Sequence, residues 1–226
     1  MLIALAVVVA QAGSASKHLN FTIEAASPRF SLSVEVAPSK ESTDDPVIGP
    51  ATVTVLSRGT KKPVQTIKLP SIAVFKNQKS ISIAAPGKTP SQYDTSYTFI
   101  FQDFNFDGKQ DLAICNGLNG SYGLPSYDVF LWSANQNRFV KDQMLTSLAS
   151  EHLGLFAVDS KKKEFVVFDK SGAAWHKSSF YQWFGGKPTL YKEEVDDATG
   201  NEDVVTTKTL IGKKWHTKVK KMAKQQ

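Results

Sequence analysis

Cysteine is almost absent from this chain: its 226 residues include one, Cys115. A single cysteine cannot form an intramolecular disulfide, a thiolate metal site or a CxxC redox motif, so these features are excluded. A lipid-anchored export signal would need a cysteine directly after the N-terminal apolar run, and no cysteine stands there. Cys115 lies within a predicted strand and is expected to be a small core residue.

Motifs for catalysis and phosphate binding are absent as well. The sequence has no GxSxG, no HExxH, and neither a GxxxxGK(S/T) nor a GxGxxG loop. The four histidines are scattered without metal-ligand spacing and are expected to be surface or strand residues: His18, His152, His176 and His216. Glu193-Glu194 and Asp196-Asp197 pair carboxylates in what reads as a polar turn, where solvation accounts for them. The sequence therefore predicts that the protein is not an enzyme.

Positive charge is concentrated at the C-terminus and has few aromatic residues around it. The formal net charge is +6, and much of the excess comes from lysines near the end of the chain: Lys213, Lys214, Lys218, Lys220, Lys221 and Lys224. A nucleic-acid-binding surface would interleave such residues with stacking aromatics, and here Trp215 is the only aromatic among them. We expect a solvated last strand and tail, and no nucleic-acid partner.

The chain also lacks an apolar run long enough to span a bilayer as a helix, which takes about 20 residues. Its longest N-terminal run, Leu2–Ala10, has the length of a signal-peptide core and is followed by small residues that offer A-x-A cleavage sites. No Lys or Arg precedes the run, and a buried first strand is the alternative. We predict a signal peptide over residues 1–15, no membrane span, and a mature protein in the periplasm or outside the cell.

Alternation of apolar and polar residues runs through the body of the chain and predicts strands. In Phe30–Val36 every second residue is apolar, the pattern of a half-buried strand. Arg58-Gly59-Thr60 is a plausible hairpin turn. Further strands are predicted at Thr52–Leu56, Val64–Leu69, Ser96–Gln102, Asp111–Cys115, Tyr127–Trp132, Phe165–Phe168, Ser179–Trp183, Thr189–Lys192 and Val204–Leu210.

One helix and two long loops complete the predicted elements. Asp142–Ser150 is the helical candidate, with Asp142 as its N-cap. Pro38–Pro50 and Ala84–Asp94 are predicted loops. The length suits one domain over residues 16–226, and many short strands predict an all-β fold with one short helix. The pattern alone leaves a barrel, a sandwich and a small propeller open.

The segment Asp103–Asp111 has the spacing of a calcium-binding loop. Oxygen-bearing side chains fall at its first, third, fifth and ninth positions, and glycine is sixth. Calcium takes six to eight oxygen ligands, and alternate side chains can converge on one point. An EF-hand would carry Glu at position twelve between helices, whereas this chain has Ile114 there and strand-like flanks. The predicted ligands are the side chains of Asp103, Asn105, Asp107 and Asp111 and the carbonyl of Lys109; a hydrated Asp-rich turn is the alternative.

A glycine-rich turn follows the next strand and predicts a binding loop. Three glycines flank a polar and aromatic tip, and an aromatic strand comes directly after. Projecting polar and aromatic groups on a rigid sheet are typical of binding loops. The residues predicted to form this loop are Asn119, Gly120, Ser121 and Tyr122.

On these residues the sequence resembles the calcium-binding, propeller-like bacterial proteins that inhibit lysozymes. They include periplasmic inhibitors of invertebrate-type lysozyme and immunity proteins against peptidoglycan-hydrolase effectors of type IV secretion systems. The resemblance covers about residues 97–214, and its most specific parts are Asp103–Asp111, Gly120–Tyr122, Ser126–Leu131 and Trp175–Pro188. The segment before about Tyr93 matches nothing in that family.

The resemblance implies a small propeller-like fold, a bound calcium ion and a glycosidase as partner. It implies that a loop enters the enzyme's catalytic cleft, with Tyr122 as the plug. The tyrosine ring would fill a sugar subsite and its hydroxyl would engage a catalytic carboxyl. The calcium loop upstream is expected to hold the turn rigid. The alternative is a secreted calcium-dependent carbohydrate-binding or adhesion module, which should repeat the Asp-x-Asn-x-Asp-Gly pattern; it occurs once here.

Overall fold

The computed structural model describes residues 18–40, 42–43, 45–77, 80–81 and 97–224. The predicted signal peptide at residues 1–15 and the predicted loop Ala84–Asp94 lie outside the described residues. Within the described ranges, no helix combines the length and apolar character needed to cross a membrane.

The first sheet is built from four consecutive antiparallel strands. They are β1 (Leu19–Ile23), β2 (Phe30–Val36), β3 (Val47–Ser57) and β4 (Pro63–Val74), in that order across the sheet. The hairpin predicted at Arg58-Gly59-Thr60 connects β3 to β4. In β2 the alternation works as predicted, since Leu32, Val34 and Val36 are buried.

The predicted loop Pro38–Pro50 ends too late, because β3 already begins at Val47. Glycine and proline made this stretch read as a loop. In the structure the backbone of Gly49 lies close to the backbone at Ala37, and a Cβ on Gly49 would be 2.1 Å from the carbonyl oxygen of Ala37. Glycine therefore allows the close strand approach instead of breaking the strand.

The second sheet lies in the middle of the molecule and is buried on both faces. Its strands are β7 (Phe99–Gln102), β8 (Asp111–Gly117), β9 (Ser126–Ser133) and β10 (Arg138–Lys141), ordered β10-β9-β8-β7. The two faces take alternate residues: Phe99 and Phe101 join a core shared with the first sheet, whereas Ile100 joins a second core with the helix and the third sheet. Period-2 side chains explain this division.

The helix is α1 (Gln143–Leu148), where the sequence placed it. Asp142 is its N-cap: the side chain accepts a hydrogen bond of 2.8 Å from the backbone N–H of Leu145. Leu145 is fully buried in the second core. The cap satisfies one of the free N–H groups that every helix start leaves.

The third sheet has six antiparallel strands and extends away from the body. They are β11 (Ala157–Asp159), β12 (Glu164–Ser171), β13 (Trp175–Phe184), β14 (Lys187–Asp197), β15 (Glu202–Ile211) and β16 (Lys214–Ala223), in chain order. A two-stranded pair, β5 (Lys76–Asn77) and β6 (Ser80–Ile81), stands apart. All ten residues of β16 are exposed, as expected for a solvated last strand.

The acidic residues predicted in a polar turn lie instead within β14. Ion pairs hold two of them in the sheet: Lys177 bonds Glu193 at 2.6 Å and Lys192 bonds Glu194 at 2.9 Å. Neither face of β14 is deeply buried, so acidic side chains can occupy successive positions. Because β14 has no apolar face, its apolar and polar residues do not alternate, and the acidic stretch was therefore predicted as a turn.

The all-β class with one short helix is confirmed. The sheets formed by the described residues close neither into a barrel nor into a propeller, so the expected propeller-like form is not seen. What is seen is three antiparallel sheets with the middle one covered on both faces.

Gln65 joins the first two sheets and gives a test of their packing. Its side chain accepts from the Phe139 N–H at 2.7 Å and donates to the Phe139 carbonyl at 2.9 Å, along the edge strand β10. Gln65→Ala should lower the free energy of unfolding by about 1–3 kcal/mol in urea denaturation, because both backbone groups lose their partner. Gln136→Ala, at an exposed turn position, should stay within about 0.5 kcal/mol. Equal losses would contradict this role of Gln65.

Candidate functional site

The loop between β7 and β8 is an oxygen-rich turn closed by its own backbone. The carboxylate of Asp103 accepts from the N–H groups of Asp107 (3.0 Å) and Gly108 (2.8 Å). The side chains of Asn105 and Asp107 accept from the N–H groups of Asp107 (3.1 Å) and Lys109 (2.8 Å), respectively. Gly108, at φ +82°, supplies the left-handed turn. The side-chain oxygens of Asp103, Asn105 and Asp107 therefore bond to the backbone of their own loop.

The alternate residues of this loop are aromatic anchors. Phe104 is fully buried, and its ring stands edge-on to that of Phe156, with centroids 5.7 Å apart. Phe106 packs against Phe165, with ring centroids 5.1 Å apart. Apolar residues thus fix one side of the loop to the second core while the oxygen atoms occupy the other side.

Asp111 is a buried carboxylate that connects the loop to the central sheet. It begins β8 with no exposed surface; one oxygen accepts from Phe104 N–H and the other from Trp132 N–H, both at 2.8 Å. Burial raises its pKa to about 7; the two backbone N–H groups lower the pKa, and the charges of Asp107 and Asp103 raise it. Two N–H donors pointing at it are the environment that an ionised carboxylate requires.

The loop offers calcium suitable donor atoms, but the carboxylates are not grouped around one point. The donors are hard oxygens, the type that calcium prefers, in the predicted order along an already turned loop. Among the residues that the structure describes, however, no three or more His, Cys, Asp or Glu side chains are grouped closely enough to hold a metal. The donor chemistry therefore fits calcium, while in this conformation the carboxylates bond to backbone amides.

The second predicted site, Asn119–Tyr122, lies in the connection between β8 and β9. The Gly120 N–H donates to the Leu124 carbonyl (2.9 Å), and the Ser121 N–H donates to the His152 carbonyl (3.0 Å). A Cβ on Gly120 would come within 2.9 Å of the Leu124 oxygen and 3.2 Å of the His152 oxygen, so this position requires glycine. Backbone contacts on two sides therefore fix the turn.

A polar network holds the base of the same turn. Asn119 donates to the Ser126 hydroxyl, which bonds in turn to Asn116. Asn116 donates to Asp128 at 2.8 Å, and Lys141 forms an ion pair with the same carboxylate at 2.8 Å. Each polar group that β8 and β9 bring under the turn thus has a partner.

Tyr122 is the exposed tip of the turn and lies against a different sheet. Its side chain is 62% exposed, and its backbone is left-handed at φ 60°. Its hydroxyl accepts from the Gly172 N–H (3.1 Å) and donates to the Lys170 carbonyl (3.5 Å). The Lys170 ammonium lies 4.6 Å from the ring centroid. We call these two side chains the Tyr122–Lys170 patch.

His152 and Asp169 lie directly behind this patch. Their side chains bond at 2.7 Å and are each about one quarter exposed (24% and 26%). His152 was expected to be a plain surface or strand histidine, and sequence reasoning missed its partner 17 residues away. Ser121 Oγ donates to the Glu151 carbonyl, at 3.3 Å, beside this pair. The pair fixes the segment whose carbonyls hold the turn.

The two predicted sites lie at opposite ends of the β8–β9 hairpin. Asp111 and Trp132 are at one end, whereas Gly117 pairs with Ser126 at the other. Asp111 and Gly117 are six positions apart along the strand, which is about 20 Å at 3.3–3.4 Å per residue. Any support that the loop gives to the turn must therefore pass through the strands between them.

One solved structure is similar to this chain over nearly its whole length. It is described as the structure of a Xanthomonas type IV secretion system related protein. The match has a TM-score of 0.74 and 20% sequence identity, and it covers 93% of this chain and 97% of that chain. The two proteins share a fold. No family model and no curated protein matches this sequence.

Asp111 can be tested for its structural role, apart from any metal. With a chelator present, Asp111→Ala should lower the free energy of unfolding by about 2–4 kcal/mol, because the buried N–H groups of Phe104 and Trp132 lose their acceptor. Asp107→Ala, which removes an exposed carboxylate of the same loop, should cost less than about 1 kcal/mol. Chemical denaturation measures both. A loss at Asp111 no larger than that at Asp107 would contradict the buried connection.

Proposed function

We propose that this protein inhibits a peptidoglycan-cleaving glycosidase, a lysozyme or a lysozyme-like effector. The loop Asn119–Tyr122 enters the catalytic cleft of the enzyme. The observation that supports this most is the exposed ring of Tyr122 on a turn whose backbone is bonded both within the turn, to Leu124, and to His152 outside it. The resemblance to lysozyme inhibitors supports the same function, and the fold shared with a type IV secretion system related protein is compatible with it.

A fixed aromatic tip suits cleft binding. Burial of one aromatic side chain can dominate an interface, and Tyr is enriched among such residues. Because the turn around Gly120 and Ser121 is already ordered, little conformational entropy is lost when it binds. The ring of Tyr122 is the part offered to a sugar subsite, since its hydroxyl already bonds to Lys170 and Gly172.

We also propose that the loop Asp103–Asp111 binds calcium. The ligands would be the side chains of Asp103, Asn105, Asp107 and Asp111 and the Lys109 carbonyl. Bound calcium supplies positive charge that offsets the carboxylates gathered there. Because Asp111 also bonds to Phe104 and Trp132, a loop made rigid by calcium would restrict the motion of the adjoining sheet as well. Calcium therefore supports the inhibitory turn indirectly, through the hairpin.

The proposed site of action is the periplasm or the cell exterior. A peptidoglycan-cleaving enzyme meets its substrate there, and residues 1–15 have the composition of a cleaved signal peptide. Inhibition therefore requires export, because the inhibitor must protect the wall in the compartment where the enzyme acts.

Calcium binding predicts a stability difference. The melting temperature should be higher in millimolar calcium than in EDTA, because a ligand bound only to the folded state stabilises it by about 2.7 kcal/mol at 100 times its Kd. Asp107→Ala should abolish the difference, and Asp159→Ala, which removes a partly buried carboxylate at the end of β11, should preserve it. Identical melting of the unsubstituted protein in both buffers would refute the site.

Inhibition predicts a specific loss at Tyr122. In turbidity clearing of cell-wall suspensions, Tyr122→Ala should weaken inhibition about thirtyfold or more, the effect of removing a binding hot spot of about 2 kcal/mol. The unfolding free energy should fall by no more than about 1 kcal/mol, because the ring is mostly exposed and its two hydrogen bonds lie at the surface. The panel should include lysozymes of several types and lysozyme-like effectors of type IV secretion systems.

Phe184→Ala is the matched control for this loss. Phe184 is 75% exposed and ends β13. The turn between β12 and β13, whose Gly172 bonds to Tyr122, lies at the other end of that strand, about 30 Å away by strand rise. Its loss should leave inhibition unchanged. If inhibition survives Tyr122→Ala, the plug is wrong; if no enzyme in the panel is inhibited, a carbohydrate-binding module becomes the better explanation.

A further inference from the structure

We infer that Lys170 is a second recognition residue, whose ammonium pairs with an ionised carboxylate in the partner's cleft while the ring of Tyr122 fills the adjoining sugar subsite. This inference rests on the proposed function and identifies the chemistry of the surface that the enzyme meets. The Tyr122–Lys170 patch then acts as one unit assembled from two sheets.

The ammonium of Lys170 is placed for an external partner. It lies 4.6 Å from the centroid of an exposed ring, at the end of β12. Two lysines of the neighbouring strands are paired with carboxylates, in Lys177–Glu193 and Lys192–Glu194. Asp169, next to Lys170 in the chain, is bonded to His152. Within the described part of the chain, the structure shows no ion pair for Lys170.

The chemistry of a glycosidase cleft complements this arrangement. Such clefts carry two carboxyl groups around the scissile bond, and one of them is ionised as base or nucleophile. A lysine ammonium stacked on an aromatic face keeps its charge while its stem covers apolar surface. The protein's net charge of +6 also favours approach to an acidic cleft.

The hydroxyl of Tyr122 is less suited to this role than the sequence suggested. It accepts from the Gly172 N–H and donates to the Lys170 carbonyl, so both of its functions are already used. The bond to the hydroxyl comes from the backbone of Lys170, not from its side chain. Substitution of the side chain therefore tests the ammonium without removing the bond that orients Tyr122.

The first experiment replaces the charge. Lys170→Gln should raise the inhibition constant at least about tenfold against the lysozyme that the unsubstituted protein inhibits most strongly, and Lys170→Arg should restore most of it. The Gln variant should also show a weaker salt dependence of inhibition. Lys187→Gln removes the same charge from an exposed position in β14 and should change inhibition less than about twofold. Unfolding of all three variants should match that of the unsubstituted protein.

A second experiment identifies the partner group. Each catalytic carboxyl of the same lysozyme is replaced in turn by its amide, and binding is measured by calorimetry. Lys170→Gln should weaken binding to the unsubstituted enzyme at least about tenfold, but less than about threefold to one of the amide enzymes, because the charge pair is already absent there.

The outcomes separate this inference from the proposed function. If Tyr122→Ala abolishes inhibition and Lys170→Gln has no effect, the role of Lys170 is refuted and the inhibitory loop stands. An undiminished effect of Lys170→Gln on both amide enzymes would refute the carboxylate as its partner. If no lysozyme is inhibited by the unsubstituted protein, both the function and the inference are refuted.

Discussion

The buried carboxylate of Asp111 joins the loop before β8 to the end of β9, and the geometry of the candidate site depends on that connection. Its two oxygens accept the N–H groups of Phe104 and Trp132, so one side chain bonds to both sides of the hairpin's base. The sheet around it is buried on both faces. An ionised group in such a place costs much free energy, so burial raises the pKa of Asp111 to about 7 although the two N–H donors lower it.

Two elements span the distance between the oxygen-rich loop and the exposed tyrosine. The β8–β9 hairpin is the first. The second is β12, which runs from Phe165, in contact with Phe106, to Lys170, in contact with Tyr122. A rigid loop can therefore restrict the motion of the turn through these packed strands. This arrangement explains how the proposed calcium loop and the proposed binding surface, about 20 Å apart, can belong to one function.

Much of the fold could be predicted from sequence where one face of a strand is buried. The alternation of Phe30–Val36 and the cap at Asp142 depend on local patterns, and both predictions are confirmed. In β14 only Thr189–Lys192 was predicted as a strand; its acidic second half was missed because it lies in an exposed sheet, where acidic residues leave no apolar period. Gly49 was misread because glycine marks both a turn and a close strand approach.

The candidate site, too, could be predicted where its features are local in sequence, but not where they depend on contacts between distant residues. The oxygen spacing of Asp103–Asp111 and the exposed tip at Tyr122 are local, so the sequence could indicate them. The contacts of Tyr122 with Lys170 and Gly172 join residues 48 and 50 positions apart. No short-range pattern encodes such a contact, and it is this contact that shifts the expected role from the tyrosine hydroxyl to the ring and the neighbouring ammonium.

The central claim is that one surface, made from the turn at Tyr122 and the end of β12, enters an enzyme cleft. Hydrogen–deuterium exchange of the full chain, with and without a lysozyme that it inhibits, tests this claim most directly. The account predicts added protection at residues 119–124 and 170–174, and little change in the exposed strands β15 and β16. Protection confined to β14–β16, with none at residues 119–124, would contradict it.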